Sequence, residues 1–148
     1  MLETAQQLES IINDYSVKFS QLTEEELSSK HAPGKWSKKE IIGHLVDSAQ
    51  NNIRRFIVTQ YETTPHIVYA QNEWVEIQHY QQYNSKDLIA LWILINKHIV
   101  MILENLPAEK LALQCDTGKN ETALHTIEFL AKDYITHHLH HLKQIIPA

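Results

Sequence analysis

The chain has 148 residues, 43% hydrophobic and 21% charged, with three Gly and four Pro, which fits one ordinary globular domain and excludes low-complexity and turn-dense β architectures. Thirteen Lys and Arg against eighteen Asp and Glu give a net charge of −5 with neutral histidine, so the positive excess of a dedicated nucleic-acid binder is missing. The longest apolar run, Leu88 to Ile95, is eight residues, far short of the roughly 18 of a membrane span.

Leu8, Ile11, Ile12, Tyr15, Phe19 and Leu22 recur at i, i+3, i+4 spacing and predict a first helix with one buried face. It fades into the acidic stretch Thr23 to Lys30, and the run His31 to Trp36, with Pro33 and Gly34 inside it, reads as a turn. Ser37 and Glu40 match a capping box. They open a second helix with Ile41, Leu45, Ser48, Ala49, Asn52, Ile53 and Phe56 on one side, ending near Gln60. Residues 61–84 are less regular, and Tyr69 to Tyr80 reads as a short helix anchored by Trp74, Ile77 and Tyr80.

Asn84 or Ser85 caps a third long helix containing Leu88, Leu91, Trp92, Ile95, Ile99, Ile102 and Leu103. Ile89, Ile93, Val100 and Met101 make its other side apolar too, as expected of a central helix or a subunit interface, and Pro107 closes it. Leu111 to Glu121 reads as a polar connection with Gly118 and Asn120 as turn residues. A fourth long helix spans about Thr126 to Ile146, with Ile127, Leu130, Ala131, Tyr134 and Ile145 on its apolar face. No alternating strand pattern is visible. The expectation is an all-α single domain over residues 1–148, a four-helix bundle with a short extra helix between the second and third long helices. Cys115 is the only thiol, and MLETAQQLES lacks the basic and apolar regions of a signal peptide, so a cytoplasmic location is expected.

Ten histidines stand out. The last helix reads D-Y-I-T-H-H-L-H-H-L-K-Q-I, in which His137 and His141 are four apart and therefore one turn apart on one face. Two imidazoles so spaced can point at one metal ion, as in helical zinc sites, here without a metalloprotease Glu after the first His. His137–His140 and His138–His141 are i, i+3 alternatives. A third ligand must come from another helix, and His44, inside the second, is the candidate. An isolated HxxxH pair is more often solvated or merely packed. A purification tag is excluded, because Leu139 interrupts the histidines and Lys-Gln-Ile-Ile-Pro-Ala follows them. His138 and His140 are expected to point away from the His137–His141 face, and His31, His66, His79, His98 and His125 lack partner spacing. Asp47 and Asp133 are candidates for orienting an imidazole, although most such residues simply face water. Asp47 is also a weak catalytic candidate. Cys115, in the polar connection, reads as incidental.

Pro33 to Ser48 (P-G-K-W-S-K-K-E-I-I-G-H-L-V-D-S) and His137 to Ile145 (H-H-L-H-H-L-K-Q-I) together resemble the DinB/YfiT-like superfamily of metal-dependent enzymes. The first segment matches in Trp36, Ser37 and a His three residues before Asp47; the second in the H-x-x-x-H-x-x-Q pattern of His137, His141 and Gln144. The resemblance implies a bundle holding a divalent ion, commonly zinc or nickel, on His44, His137 and His141. Many relatives carry a Glu after the Asp-Ser of the first segment, where this chain has Ala49. Three neutral imidazoles leave an ion its full charge and an open position, the catalytic pattern. The first expectation is activation of a low-molecular-weight thiol, as with the bacillithiol and mycothiol of the wider superfamily, for transfer to an electrophilic small molecule. The alternatives are a hydrolase using metal-bound hydroxide and a non-catalytic metal-binding or interaction module. The doubly apolar third helix, and pairing among relatives, point to a homodimer.

Overall fold

The computed structural model describes residues 1–147. Four long helices carry the architecture: α1 (Leu2–Ser20), α3 (Lys38–Val58), α5 (Ser85–Glu104) and α6 (Ile127–Ile145), with the shorter α2 (Glu24–Ser28) and α4 (Gln71–Gln78) between them. Side-chain caps set where three of the long helices begin. Ser37 Oγ accepts the Glu40 N–H at 3.1 Å while the Glu40 carboxylate accepts the Ser37 N–H at 3.0 Å, which starts α3. Asn84 accepts the Asp87 N–H at 3.0 Å to start α5, and Thr126 accepts the Phe129 N–H at 3.1 Å to start α6. Each such cap contributes about 1 kcal/mol and, more usefully here, fixes which face every later residue presents.

Around the bundle, α5 lies between α1 and α3, and α6 lies between them on the other side. Helices consecutive in the chain, α1 with α3 and α5 with α6, therefore sit across the diagonal. Both connections that span a diagonal, residues 21–37 and 105–126, are long and carry structure of their own. The core joins Leu8, Ile12 and Phe19 of α1, Ile42, Leu45 and Phe56 of α3, Trp92, Ile99 and Leu103 of α5, and Ile127, Leu142 and Ile145 of α6. Phe19 meets Trp92 edge-on at 5.0 Å. The second apolar side of α5 is used within the chain, since α5 packs on both α1 and α3. Leu94 and Met101 nevertheless stay outside, 65% and 50% exposed. Among the described residues no helix is long and apolar enough to cross a membrane.

The structure departs from the sequence expectation in three places. Residues expected as a polar connection hold a small antiparallel hairpin, β1 (Gln114–Asp116) with β2 (Leu124–Thr126), Cys115 opposite His125. Strands of three residues are too short to show alternation, and the turn is closed by the Asp116 carboxylate accepting the N–H groups of Gly118 (2.9 Å) and Ala123 (3.0 Å). The hairpin also grips the other irregular segment, Ile67 N–H donating to the Asp116 carbonyl and Asp116 N–H to that of Pro65, both at 2.9 Å. The acidic stretch after α1 holds α2, opened by a Thr23–Glu26 capping box and anchored by buried Leu27. In the short α4 the buried anchor is Val75 (2% exposed), whereas Ile77 faces solvent at 72%. His79, in the left-handed region at φ 53°, ends the helical period there and brings Tyr80 round into the core.

Candidate metal centre

α3 and α6 run side by side, and each delivers imidazole to the same place. His44 lies in the second turn of α3, its direction set by the Ser37–Glu40 capping box. Trp36, just before the cap, lays its ring against that imidazole, centroids 5.0 Å apart and planes at 35°. Across the groove, His137 and His141 approach Nε2 to Nε2 at 3.2 Å. Their rings stand 5.5 and 4.7 Å from that of His44, at 73° and 75° to it. One nitrogen from each of the three lies within 4.8 Å of the other two. The i, i+4 pair and its partner on another helix thus converge. Gln144, a turn beyond His141, accepts its Nδ1–H at 2.9 Å, which fixes the tautomer and leaves the Nε2 lone pair facing the cluster.

The electrostatics of the cluster are those of neutral donors. Burial, and then repulsion from His141 and His137, push the His44 pKa down to about 3. Burial and His141 bring His137 to about 4, against a smaller upward pull from Asp133. Burial lowers His141 as well, partly opposed by its bond to Gln144. Neither nitrogen of the fully buried His44 has a hydrogen-bond partner, and an orphaned buried polar group costs about 1–3 kcal/mol. Uncharged imidazoles whose lone pairs converge, one of them otherwise unsatisfied, are a donor set suited to a borderline divalent ion. The residues present fit such an ion.

Other candidates lie elsewhere. His138 turns into the core, fully buried, where its Nε2 accepts the Trp92 indole N–H at 2.9 Å, while His140 is exposed. Asp47 does not orient an imidazole. Three residues on from His44, it faces α4 and the turn after it, where one carboxylate oxygen accepts from the Tyr80 hydroxyl at 2.6 Å and from the Gln78 amide at 2.8 Å. Its second oxygen has no partner, and burial holds the carboxyl above the usual carboxylate range. Asp133 is exposed and acts on His137 through its charge alone. His66 bonds the Gly118 carbonyl at 2.7 Å, and His125 stacks on Phe129 at 4.4 Å. Cys115 is fully buried in β1, and burial raises its thiol pKa.

Two cavities adjoin the histidines. The larger, about 1130 Å³, is lined by His141 and Gln144 together with Trp36, Lys30, Lys35 and Gln81. The smaller, about 400 Å³, opens from His137. Sequence reasoning missed the Tyr80 and Gln78 partners of Asp47, which depend on the αL turn at His79. It also assigned no role to Ser48 and Asn52, although polar residues on the inward side of α3 were themselves a signal.

The sequence pattern of the DinB superfamily matches residues 7–145. This chain belongs to the DinB superfamily. A relative in Bacillus pumilus SAFR-032, named "Putative metal-dependent hydrolase", is 27% identical over 147 residues, covering 95% of this DinB-superfamily chain and 81% of the relative. A Bacillus cereus AH820 protein of the same description is 26% identical over 127 residues, covering 83% and 73%. Among solved structures, YfiT from Bacillus subtilis superposes with a TM-score of 0.86 at 22% identity over 97% of this chain and 82% of its own. It is described as "a probable metal-dependent hydrolase with an unusual four-helix bundle topology". The mycothiol-dependent maleylpyruvate isomerase matches at a TM-score of 0.66 and 12% identity, over 98% of this chain and 57% of that one. The two structural likenesses establish a shared bundle.

Proposed function

We propose that this DinB-superfamily chain binds one divalent transition metal, zinc or nickel, on His44, His137 and His141, and activates a small thiol for attack on an electrophilic substrate. The observation that carries the reading is His44: a fully buried imidazole with both nitrogens unpartnered, aimed at two further neutral imidazoles. A divalent ion held there supplies positive charge that favours a thiolate over a thiol, or a hydroxide over water. The protein's part is positioning. Gln144 holds the His141 tautomer, Trp36 shields His44 from solvent, and Lys35 on the larger cavity suits a thiol that carries anionic groups.

The choice of thiol transfer over hydrolysis rests on the missing base. Among the described residues no carboxylate joins the histidine cluster. Asp47 is engaged by Tyr80 and Gln78, and Ala49 is buried in the core. Activating water calls for a proton acceptor more than activating a thiol, whose pKa of about 8.5 is already far below that of water. The names of the relatives favour the second reading, a metal-dependent hydrolase.

The test begins with metal content. Untagged protein should carry close to one ion per chain, lost in His44→Ala, His137→Ala and His141→Ala and retained in His140→Ala. The loaded protein is then given monochlorobimane with and without a panel of small thiols. Conjugation that needs both thiol and His141 supports the proposal. Thiol-independent ester cleavage would replace it with hydrolysis, and silence in both assays would favour a non-catalytic metal-binding module.

A further inference from the structure

We infer that the smaller cavity, on the His137 side of the cluster, is a carboxylate-binding site centred on Arg55. Its role as the pocket for the second reactant rests on the metal-centre reading above. The sequence lays the site out along one helix face. From His44, α3 continues through Ser48, Asn52 and Arg55 at i+4, i+8 and i+11, one stripe rising about 16 Å along the axis. All three line the cavity, and so does His137.

Arg55 is an arginine with half its fork in use. Its Nε–H and Nη2–H both donate to the Ile67 carbonyl, at 3.2 and 3.0 Å. That occupies the side edge of the guanidinium and leaves the end edge, Nη1 and Nη2, for another acceptor. Among the described residues no carboxylate oxygen lies within the 4.0 Å of an ion pair with it. A partly desolvated cation with only the distant charge of Asp133 to balance it gains from a direct anionic partner, and the two parallel N–H groups of an arginine edge match a carboxylate.

The rest of the lining agrees. Lys119, exposed at the hairpin turn, adds a second positive charge, and Val68, Phe129 and Leu130 provide an apolar wall. Asp133 is the lining's only carboxylate and stands one turn from His137. Its charge acts on both His137 and Arg55 without reaching ion-pair distance of the guanidinium, so the orienting contact for a bound carboxylate is the free arginine edge itself. A volume of about 400 Å³ suits a small aryl or alkyl carboxylate.

The test uses the full-length protein, as purified and after chelation, with phenylacetate and its neutral counterpart phenylacetamide as probes. Backbone amide chemical shifts report both place and affinity. Phenylacetate should perturb Arg55, Val68, Lys119 and Phe129, and bind roughly 10-fold or more tighter than the amide, as a charge-assisted hydrogen bond implies. Arg55→Gln should remove that preference. Because Arg55 also anchors Ile67, Lys119→Glu on the exposed turn serves as the second variant and should weaken binding several-fold. Equal affinity for the two probes, shifts centred instead on Lys30 and Trp36, or full affinity in Lys119→Glu would each overturn the assignment. Carboxylate binding by protein that takes up no metal supports the cleft and removes the metal-centre reading. Metal uptake without carboxylate binding does the reverse.

Discussion

Gly43→Ala sets two effects of opposite sign against each other. In the interior of a helix, Ala is favoured over Gly by about 1 kcal/mol, so propensity alone makes the variant more stable. The structure reverses that sign. A Cβ on Gly43 would overlap Cγ, Cδ2 and Cε2 of the Tyr80 ring, which is 2% exposed. Forcing a packed ring aside costs about 1–3 kcal/mol. The displaced ring also withdraws the hydroxyl that donates to Asp47 at 2.6 Å, leaving a buried acceptor short of a partner for about another 1–3 kcal/mol. Less the propensity gain, the variant should be about 1–5 kcal/mol less stable, with about 3 at the centre, a fall of about 0.5–2.5 M in the urea midpoint at a slope near 2 kcal/mol/M. Tyr80→Ala supplies the internal control. With the ring gone, Gly43→Ala should be neutral or stabilising, giving a coupling of about 3 kcal/mol in the double-mutant cycle. A single Gly43→Ala variant stabilised by about 1 kcal/mol, or a cycle with no coupling, would refute the reasoning.

His138→Ala strips the acceptor from the buried Trp92 N–H and leaves a void; it should cost about 2–4 kcal/mol in denaturant unfolding, and a loss below about 0.5 kcal/mol contradicts the burial. In metal-free protein His44 and His138 lie near about 3 and His137 near about 4, against about 6.5 unfolded. The unfolded chain therefore takes up protons first, so stability is full above about pH 6.5 and is lost as pH falls from there toward about 3. Equal urea midpoints at about pH 7 and about pH 5 would contradict this. Exposed Leu94 and Met101 on α5 lead us to propose a homodimer through that helix. Sedimentation should show twice the 17.2 kDa chain mass, reduced by Leu94→Glu, and a monomer at micromolar concentration removes the idea.

The long helices were legible because each signals itself locally. Leu8, Ile12, Tyr15 and Phe19 mark a buried stripe whatever it packs on, and Ser37, Asn84 and Thr126 state where helices begin. The metal-type cluster was legible in part: His137 and His141 declare a shared face by spacing, whereas His44 could be named as an interior helical histidine but its meeting with them depends on how two helices pack. What stayed hidden depends on contacts distant in the chain. Nothing near Asp47 tells that Tyr80, past a left-handed His79, takes its oxygen. Val75 rather than Ile77 is buried because α4 is too short for its period to decide which face turns inward. The hairpin was hidden because it is held by Asp116 bonding the turn and by the loop at Pro65 to Ile67.

The diagonal order of the helices governs how the chain can assemble. In an up-and-down bundle each new helix finds the preceding one as its neighbour. Here α1 cannot rest on α3, nor α5 on α6, and of the long helices consecutive in sequence only α3 and α5 are neighbours. Lys39, at the start of α3, and Ser85, at the start of α5, both bond Glu24, so these two helices run parallel and the connection 59–84, with α4 inside it, has to return along the bundle before α5 can begin. The two outer helices pack on different partners of this parallel pair, α1 on α5 and α6 on α3. His44 comes from the second long helix, while His137 and His141 come from the last. The histidine cluster therefore exists only once α6 has docked on α3, and an ion bound to it stabilises that docked arrangement over any state in which the two are apart.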